Sequence, residues 1–185
     1  MIALEQRRFL LNLARSAITS QLYGNGQLPE CPDDALFRRE VGAFVTLHRQ
    51  GALRGCIGYV RGVKPLYETI IDMARAAAFD DYRFGAVQGD EVDELEIEIS
   101  VLSEMLPVTD VSEIVVGRDG LLITNGMRSG LLLPQVAVEW NWDVITFLQE
   151  TCRKAGLHRD CWNSHNCRIL RFSAEIFSEE RKKSV

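Results

Sequence analysis

The sequence lacks long hydrophobic runs and an excess of positive charge. No apolar stretch is long enough to span a bilayer. Residues 1–8 lack the basic segment, apolar run and small-residue cleavage site of a secretory signal. Lys and Arg number 21 against 26 Asp and Glu, a formal net charge of -5, which gives no general attraction for nucleic acid or anionic membranes. The sequence therefore predicts a cytoplasmic protein that binds neither.

Three common catalytic and nucleotide-binding motifs are also missing. The chain contains no Gly-x-Ser-x-Gly, no Gly-x-x-x-x-Gly-Lys-Ser/Thr and no Gly-x-Gly-x-x-Gly. Serine hydrolases and the common nucleotide-binding folds therefore have no support. No cofactor is predicted.

The cysteines do not form a complete disulfide framework. There are five, an odd number, in a 185-residue chain that is 46% hydrophobic and has room for one sizeable core. Disulfides are therefore not needed for stability, and we expect free thiols in one folding unit.

The first half of the chain predicts helices around a β-hairpin. Apolar residues recur at helical spacing from Leu4 to about Leu22. Residues 42–48 and 53–60 are β-prone and are joined by a turn. A helix is expected from Pro65 to about Phe79, and residues 94–102 alternate strictly between polar and apolar, which predicts a strand.

The second half predicts a small antiparallel lobe and one more helix. Short β-prone segments lie at residues 114–116, 120–124 and 131–133, separated by turn sequences. A helix is expected from about residue 141 or 143 to Gly156. The last apolar segment, 167–177, predicts a single strand.

The hexapeptide Leu53-Arg54-Gly55-Cys56-Ile57-Gly58 is the most unusual stretch of the chain. An extended backbone places alternate side chains on opposite faces. The expected faces are Leu53, Gly55 and Ile57 towards a core and Arg54, Cys56 and Gly58 away from it. Two glycines in a strand favour a close approach to the backbone, so the stretch predicts the floor of a cleft.

Cys56 is the first catalytic candidate. The thiolate is the nucleophilic form of cysteine, and Arg54, on the same expected face, would favour that form. The alternative is that Cys56 is only a small packing residue, because cysteine is among the most buried residue types. Arg54 on an inward face would have to pair with a carboxylate, a phosphate or a ligand anion.

Two acidic segments are further candidates. Glu94, Glu96 and Glu98 form a row on one face of a strand, where they could partner Arg54 or act as a general base. A solvated strand surface is the simpler alternative. Asp81 and Arg83 are suited to the rim of a polar cleft, or to an ion pair at a helix end.

A third cluster contains possible zinc ligands, namely Cys152, His158, Cys161, His165 and Cys167. Structural zinc sites usually place two ligands two to four residues apart, and neither pair of successive cysteines does so. Cys152 also fits the apolar face of the predicted helix. We therefore predict no metal site.

Several motifs occur in an order that resembles the AMMECR domain family, whose bacterial and archaeal members are called AmmeMemoRadiSam system protein A. The resemblance covers about residues 4–177. Its motifs are the hexapeptide, Asp81-Tyr82-Arg83-Phe84, the strand 94–102, Leu133-Pro134-Gln135-Val136-Ala137, Trp142-Asp143 and Lys154-Ala155-Gly156-Leu157. The chain differs from the usual family pattern at Gly85-Ala86, where proline is common, and at Asn141, where glycine is common.

The resemblance implies an α+β fold in one AMMECR-like domain over residues 1–185. A larger lobe of β-sheet flanked by helices and a smaller antiparallel β-rich lobe, at about residues 112–137, would enclose a cleft holding the hexapeptide. Matching motif positions give the candidate site residues Arg54, Gly55, Cys56, Gly58, Asp81, Arg83 and Gln135.

The resemblance implies a functional link to a MEMO-type protein and a radical SAM protein, but it implies no reaction. Two hypotheses follow. The chain is a thiol-dependent enzyme acting on a small anionic or peptide-like ligand, with Cys56 as nucleophile or redox thiol, Arg54 as its electrostatic partner and Asp81 or Glu96 as proton carrier. Alternatively, it is a non-catalytic adaptor whose cleft receives a segment of a partner protein.

Overall fold

The structure is a computed structural model that describes residues 1–24 and 26–179 as two compact units. The first comprises Met1–Val101 and residues 175–179, and the second is Leu102–Ala174. Each unit contains helices and a four-stranded antiparallel sheet, which confirms the predicted α+β class. Among the described residues, no helix combines the length and apolarity needed to cross a bilayer.

The first unit is built on a sheet with the strand order β2-β1-β3-β8. Its elements are α1 (Leu4–Tyr23), α2 (Ala35–Arg38), β1 (Ala43–Arg49), β2 (Ala52–Tyr59), α3 (Leu66–Phe79), β3 (Leu95–Leu102) and β8 (Ala174–Ser178). Alternate residues Ala43, Val45 and Leu47 of β1 are fully buried, as the period of a strand requires. α3 covers this side of β1 and β2, and α1 packs on α3.

The hairpin between β1 and β2 contains a bulge at Arg54. Its two-residue turn, Gln50 and Gly51, has positive φ at both positions (54° and 80°), the geometry that suits right-twisted strands. His48 pairs with Leu53, but Leu47 pairs with Gly55, so Arg54 has no partner in the register.

The bulge changes which face the hexapeptide residues occupy. Beyond it, Cys56 pairs with Thr46, on the face opposite the core. Before it, Leu53 pairs with His48 on that same outer face and is 42% exposed. The prediction that Leu53 shares the core face with Gly55 was therefore wrong, because a bulge interrupts the alternation of side chains.

The second unit is built on a sheet with the strand order β4-β7-β5-β6. Its elements are β4 (Leu106–Pro107), β5 (Gly120–Asn125), β6 (Arg128–Leu132), α4 (Pro134–Glu139), α5 (Val144–Lys154) and β7 (Arg168–Phe172). Phe147 and Leu148 of α5 are fully buried among residues of β5 and α4. The unit spans more of the chain than the small lobe predicted at about 112–137, because α5 and β7 also contribute to its core.

Two predicted strands differ from the structure. Residues 114–116 do not form a strand. The short 3-10 helix Val111–Glu113 precedes them, and a turn in which the Arg118 N–H donates to the Val115 carbonyl begins within them. The segment 167–177 is two strands, β7 and β8, in different sheets. The break falls at Ser173, whose N–H donates to Oγ of Ser103 at 2.9 Å.

Asn141 adopts a left-handed conformation with a φ of 51°. Asparagine tolerates this region better than most residues other than glycine. Asn141 can therefore form a turn whose backbone conformation favours glycine.

Candidate functional site

The thiol of Cys56 lies on the outer face of the first unit's sheet. Within the described residues, β2 is an edge strand that pairs with β1 on one side. Thr46 is the β1 residue opposite Cys56, and its Oγ1 donates to Sγ of Cys56 at 3.2 Å. Cys56 is half-buried rather than sealed in the core. The thiol is therefore partly accessible and has a hydroxyl group at its side.

The free edge of β2 at Cys56 is capped by the ion pair of Asp81 and Arg83. The Cys56 N–H donates to Oδ2 of Asp81 at 2.9 Å, and Nη2 of Arg83 donates to the Cys56 carbonyl at 3.3 Å. Arg83 also binds Asp81 through Nε at 2.9 Å and Nη2 at 2.7 Å. Together the two side chains satisfy the backbone groups that a neighbouring strand would otherwise pair with.

Asp81 is a buried acceptor in this arrangement. It is 3% exposed, and its carboxylate also accepts the Arg83 N–H at 3.2 Å. The hydrogen bonds from Arg83, together with the Cys56 N–H, outweigh burial and hold the pKa of Asp81 well below its usual range. Asp81 therefore stays ionised at neutral pH, which fits a positioning residue better than the proton carrier hypothesised from the sequence.

Arg83 supplies the positive charge beside the thiol. Its hydrogen bond to Asp81 raises its pKa, and the nearby Cys56 thiol adds to that shift. The guanidinium lies over the ring of Phe84, with its central carbon 5.4 Å from the ring centroid. Its Nη1 has no hydrogen-bond acceptor within residues 1–24 and 26–179. Arg83 is half-exposed and so can meet a ligand from solvent.

Arg54 is engaged elsewhere. Its Nε and Nη2 donate to the two carboxylate oxygens of Glu91, each at 2.9 Å, and its Nη1 donates to the Gly85 carbonyl at 2.9 Å. Glu91 also accepts from Arg49 at 2.8 Å and from the Gln88 N–H at 2.9 Å. The hydrogen bonds from Arg54 lower the pKa of Glu91 to about 2. Arg54 thus ties the loop before Glu91 to β2, instead of facing the thiol as hypothesised.

The two glycines of the hexapeptide allow close packing. A Cβ at Gly55 would lie 2.1 Å from the carbonyl oxygen of Ala77 in α3, and one at Gly58 would lie 2.4 Å from the ring of Phe44. The Gly55 side of β2 therefore faces a helix. These contacts give both glycines a packing role, distinct from the ligand binding predicted for them.

The carboxylate row shares the outer face with Cys56. Thr46 pairs with Cys56 on one side and Glu98 on the other, and His48 pairs with Glu96. Two strand spacings separate the Cα atoms of Cys56 and Glu98 by about 10 Å.

Gln135 lies in the second unit, at the second residue of α4. Its Oε1 is buried and accepts no hydrogen bond from the described part of the chain.

Sequence reasoning missed Thr46 and Glu91. Without the bulge, the two-residue turn would pair Cys56 with Val45 and direct the thiol into the core. Only knowledge of the bulge identifies Thr46 as the neighbour of the thiol. Glu91 gave no signal, because it lies in an irregular acidic segment where a solvated side chain is the ordinary expectation.

The possible zinc ligands considered from the sequence do not all lie together. His158 is exposed and its Nδ1 accepts from the Asp160 N–H at 3.3 Å. Cys152, Cys161 and Cys167 pack in the core of the second unit. In the ranges 1–24 and 26–179, no group of three or more His, Cys, Asp or Glu residues has an arrangement that could hold a metal ion.

Comparison with known proteins decides the family. The AMMECR1 family model matches residues 11–177, nearly the whole chain. The chain belongs to the AMMECR1 family. A protein of Methanothermobacter thermautotrophicus is 45% identical over 184 residues, covering 95% of each chain. One from Thermococcus gammatolerans is 47% identical over 188 residues, covering 95% of this chain and 91% of that protein.

The AMMECR1 fold is also seen in a crystal structure of an uncharacterized protein from Pyrococcus horikoshii. That structure matches with a TM-score of 0.90 and 43% identity, over all of this chain and 96% of the other. The resemblance read from the ordered motifs is therefore confirmed. None of these relatives is described by a reaction.

Proposed function

We propose that this AMMECR1-family protein is a thiol-dependent enzyme acting on a small anionic or peptide-like ligand, with Cys56 as its nucleophile or redox thiol. The observation that carries this proposal is the half-buried Cys56 thiol, with the Thr46 hydroxyl 3.2 Å from its sulfur and the Arg83 guanidinium nearby. A hydrogen-bond donor and a cation beside the sulfur are features of nucleophilic cysteines in enzymes. Arg83 would also hold an anionic group of the ligand through its Nη1.

The remaining roles follow from this geometry. The Asp81–Arg83 ion pair holds the backbone of Cys56, so the thiol is presented from a fixed strand edge. Glu96, on the same face, is the proposed proton carrier now that Asp81 is fully engaged as an acceptor. We propose that the ligand binds over this outer face.

Differential alkylation tests the role of Arg83. Iodoacetate is an anion and iodoacetamide is neutral, and both transfer a carbon to sulfur with loss of iodide. Cys56 is the sole cysteine of the tryptic peptide Gly55–Arg61, so mass spectrometry reports it separately. We expect Cys56 to favour iodoacetate over iodoacetamide more strongly in the folded chain than in the unfolded chain. Arg83→Gln should abolish that preference, because loss of the cation slows the reaction with iodoacetate more than the reaction with iodoacetamide.

Two comparisons make the result decisive. Arg38→Gln removes an exposed arginine that pairs with Asp33 and should leave the preference unchanged. Cys31, an exposed thiol in the peptide Ser16–Arg38, reports reagent quality in the same sample. If Cys56 in the folded protein reacts with both reagents more slowly than Cys31, the enzyme proposal is rejected.

An adaptor is the second candidate, because large apolar side chains are exposed beside the Cys56 site. Tyr82, which lies between Asp81 and Arg83 in the sequence, is 94% exposed, and Leu53 is exposed on the outer face. We propose that such a surface would bind a segment of a MEMO-type or radical SAM protein, partners that rest on the family resemblance.

A pull-down with the purified MEMO-type and radical SAM proteins distinguishes the candidates. The adaptor requires that Tyr82→Ala reduce capture at least about tenfold, as expected for an aromatic anchor, while Cys56→Ser retains it. Tyr23→Ala, which removes an exposed tyrosine of α1, is the control. Capture that is unchanged in Tyr82→Ala would reject the adaptor.

A further inference from the structure

The outer edge of β2 continues beyond Cys56. In an antiparallel pair, residues that exchange N–H and C=O bonds with the residue opposite alternate with residues whose backbone groups point to the other side of the strand. Cys56 is of the second kind, because its N–H donates to Asp81 although Thr46 lies opposite it in β1. Gly58 follows two residues later, opposite Phe44, and therefore also directs its N–H and C=O away from β1.

The two backbone groups of Gly58 have no partner on that side. No other strand lies along this edge of β2 within residues 1–24 and 26–179, and no side chain or loop backbone in those ranges hydrogen-bonds to Gly58. Gly58 is half-buried, so part of the edge is open to solvent. An unpaired N–H and C=O at the edge of a sheet are the groups to which an extended peptide adds as a further strand.

The Asp81–Arg83 ion pair limits where such a strand can lie. It accepts the Cys56 N–H at 2.9 Å and donates to the Cys56 carbonyl at 3.3 Å, the two bonds that a residue of a neighbouring antiparallel strand would otherwise make. Cys56 and Gly58 are about 7 Å apart along β2, the rise of two strand residues. A strand paired with Gly58 can therefore extend towards Cys56 by only one residue before it meets the ion pair.

Arg83 gives that end of the edge a positive charge. Its side chain is 43% exposed, and its Nη1 has no acceptor among the residues that the structure describes. β2 runs from Ala52 to Tyr59, so an antiparallel neighbour would run past Gly58 in the direction of Cys56. The C-terminal end of that neighbour would meet Arg83, and a guanidinium is well suited to bind a carboxylate.

We propose that the edge of β2 binds an extended peptide as an additional antiparallel strand that ends in a free carboxylate on Arg83. The penultimate peptide residue accepts from the Gly58 N–H and donates to the Gly58 carbonyl. Its side chain lies on the outer face beside the ring of Phe44, which occupies the space where Gly58 lacks a Cβ. This inference names the ligand class of the Cys56 site, and its functional meaning rests on the function proposed there.

Matched peptides test the carboxylate on the unaltered full chain. The probe is acetyl-Thr-Thr-Val-Thr, whose β-branched residues favour an extended backbone. It is titrated into isotope-labelled protein, and binding is followed through the Gly58 amide signal in NMR spectra. We expect the free acid to bind at least about tenfold more tightly than the same peptide with a C-terminal amide, because the amide cannot make the charged hydrogen bond to Arg83.

N-methylation of the peptide tests the main-chain pairing. A methyl group on the nitrogen of the penultimate residue removes the donor to the Gly58 carbonyl and should weaken binding at least about tenfold. The same group on the last residue should weaken it much less, because in an antiparallel pair that N–H points away from β2. Equal losses from the two methyl groups, or equal affinities of the acid and the amide, would overturn the proposal.

A variant tests the positive charge. Arg83→Gln should reduce the advantage of the acid over the amide to less than about twofold, whereas Arg38→Gln, at an exposed ion pair, should retain it in full. An undiminished advantage in Arg83→Gln would overturn the role of Arg83. A Gly58 signal that shifts with protein concentration in the absence of peptide would assign the edge to a second copy of the chain and would also overturn the proposal.

The outcomes separate this inference from the proposed enzyme. The peptide titration involves no reaction at Cys56, so slow alkylation of Cys56 would reject the enzyme and leave a peptide-binding edge. Equal affinities of the acid and the amide, together with an intact preference of Cys56 for iodoacetate, would overturn the peptide ligand and leave the enzyme.

Discussion

The N–H of Cys56 donates to Oδ2 of Asp81 at 2.9 Å, so a buried carboxylate fixes the thiol-bearing residue from the free edge of its strand. That carboxylate also binds Arg83, which returns a hydrogen bond to the Cys56 carbonyl. The position of the thiol therefore depends on an ion pair that belongs to the loop after α3, not to the sheet.

Asp81→Asn should destabilise the first unit selectively. The substitution removes the charge that binds Arg83 and one acceptor, and hydrogen bonds to charged groups contribute about 1.5–3 kcal/mol each, so we expect a loss of about 2 kcal/mol. All four tyrosines lie in the first unit and all three tryptophans in the second. The urea midpoint followed by tyrosine absorbance, which reports the first unit, should fall at least as far as the midpoint followed by tryptophan fluorescence. Asp33→Asn, at an exposed ion pair, is the control and should shift neither.

Gly55→Ala should be far more damaging than Gly85→Ala. The new Cβ at position 55 would lie 2.1 Å from the Ala77 carbonyl oxygen, so β2 and α3 would have to separate. Overpacking of this kind costs about 1–3 kcal/mol or more. At Gly85 no atom lies within 4 Å of the added carbon, and the substitution should be neutral within about 0.5 kcal/mol. Equal urea midpoints for the two variants would contradict this packing.

Acid should weaken the first unit through Glu91. Its pKa is about 2 in the folded protein against 4.5 for an ordinary glutamate, chiefly because of Arg54. A carboxyl with a lowered folded pKa contributes stability that is complete above the unfolded pKa and is lost as pH falls towards the folded one. Wild type should therefore lose more stability than Glu91→Gln between about pH 4.5 and pH 2. Urea titrations across this range measure the difference, and exposed Glu5→Gln should behave like wild type.

Thr46→Val should slow the alkylation of Cys56. Valine keeps the shape of threonine but removes the Oγ1 that donates to Sγ at 3.2 Å. Loss of a hydrogen bond of about 1 kcal/mol corresponds to roughly a fivefold slower reaction with iodoacetamide at neutral pH. Thr46→Ser retains the hydroxyl and should react at nearly the wild-type rate. A rate that is equal in the Val and Ser variants would show that the hydroxyl does not act on the thiol.

The local elements were predictable because their patterns are strong. The periodicity of α1 and α3 and the alternation of β3 predicted these elements to within about two residues at each end. The strand predicted at residues 114–116 does not form, since a 3-10 helix capped by Asp110 ends just before it and a turn from Val115 to Arg118 follows. The apolar run at 167–177 gave no sign that a single residue, Ser173, separates two sheets.

Some residues of the candidate site could be predicted from the sequence, but the hydrogen bonds and ion pairs between them could not. Motif order identified Cys56, Asp81 and Arg83, which the structure brings together. Strand alternation placed Arg54 beside the thiol, but alternation assumes an uninterrupted strand and the bulge at Arg54 breaks it. Long-range ion pairs such as Arg54 with Glu91 depend on tertiary structure, which residue spacing does not encode.

The Arg54–Glu91 pair should show strong energetic coupling. The two side chains are mostly buried and share two hydrogen bonds of 2.9 Å, in the bidentate geometry that arginine favours with a carboxylate. In a double-mutant cycle with Arg54→Met and Glu91→Gln, we expect a coupling free energy of about 2 kcal/mol, measured by urea unfolding with tyrosine detection. The exposed pair Arg38 and Asp33 should give a coupling indistinguishable from zero. A value near zero for Arg54 and Glu91 would mean that Arg54 is free to serve the thiol after all, and the cation beside Cys56 would have to be reassigned.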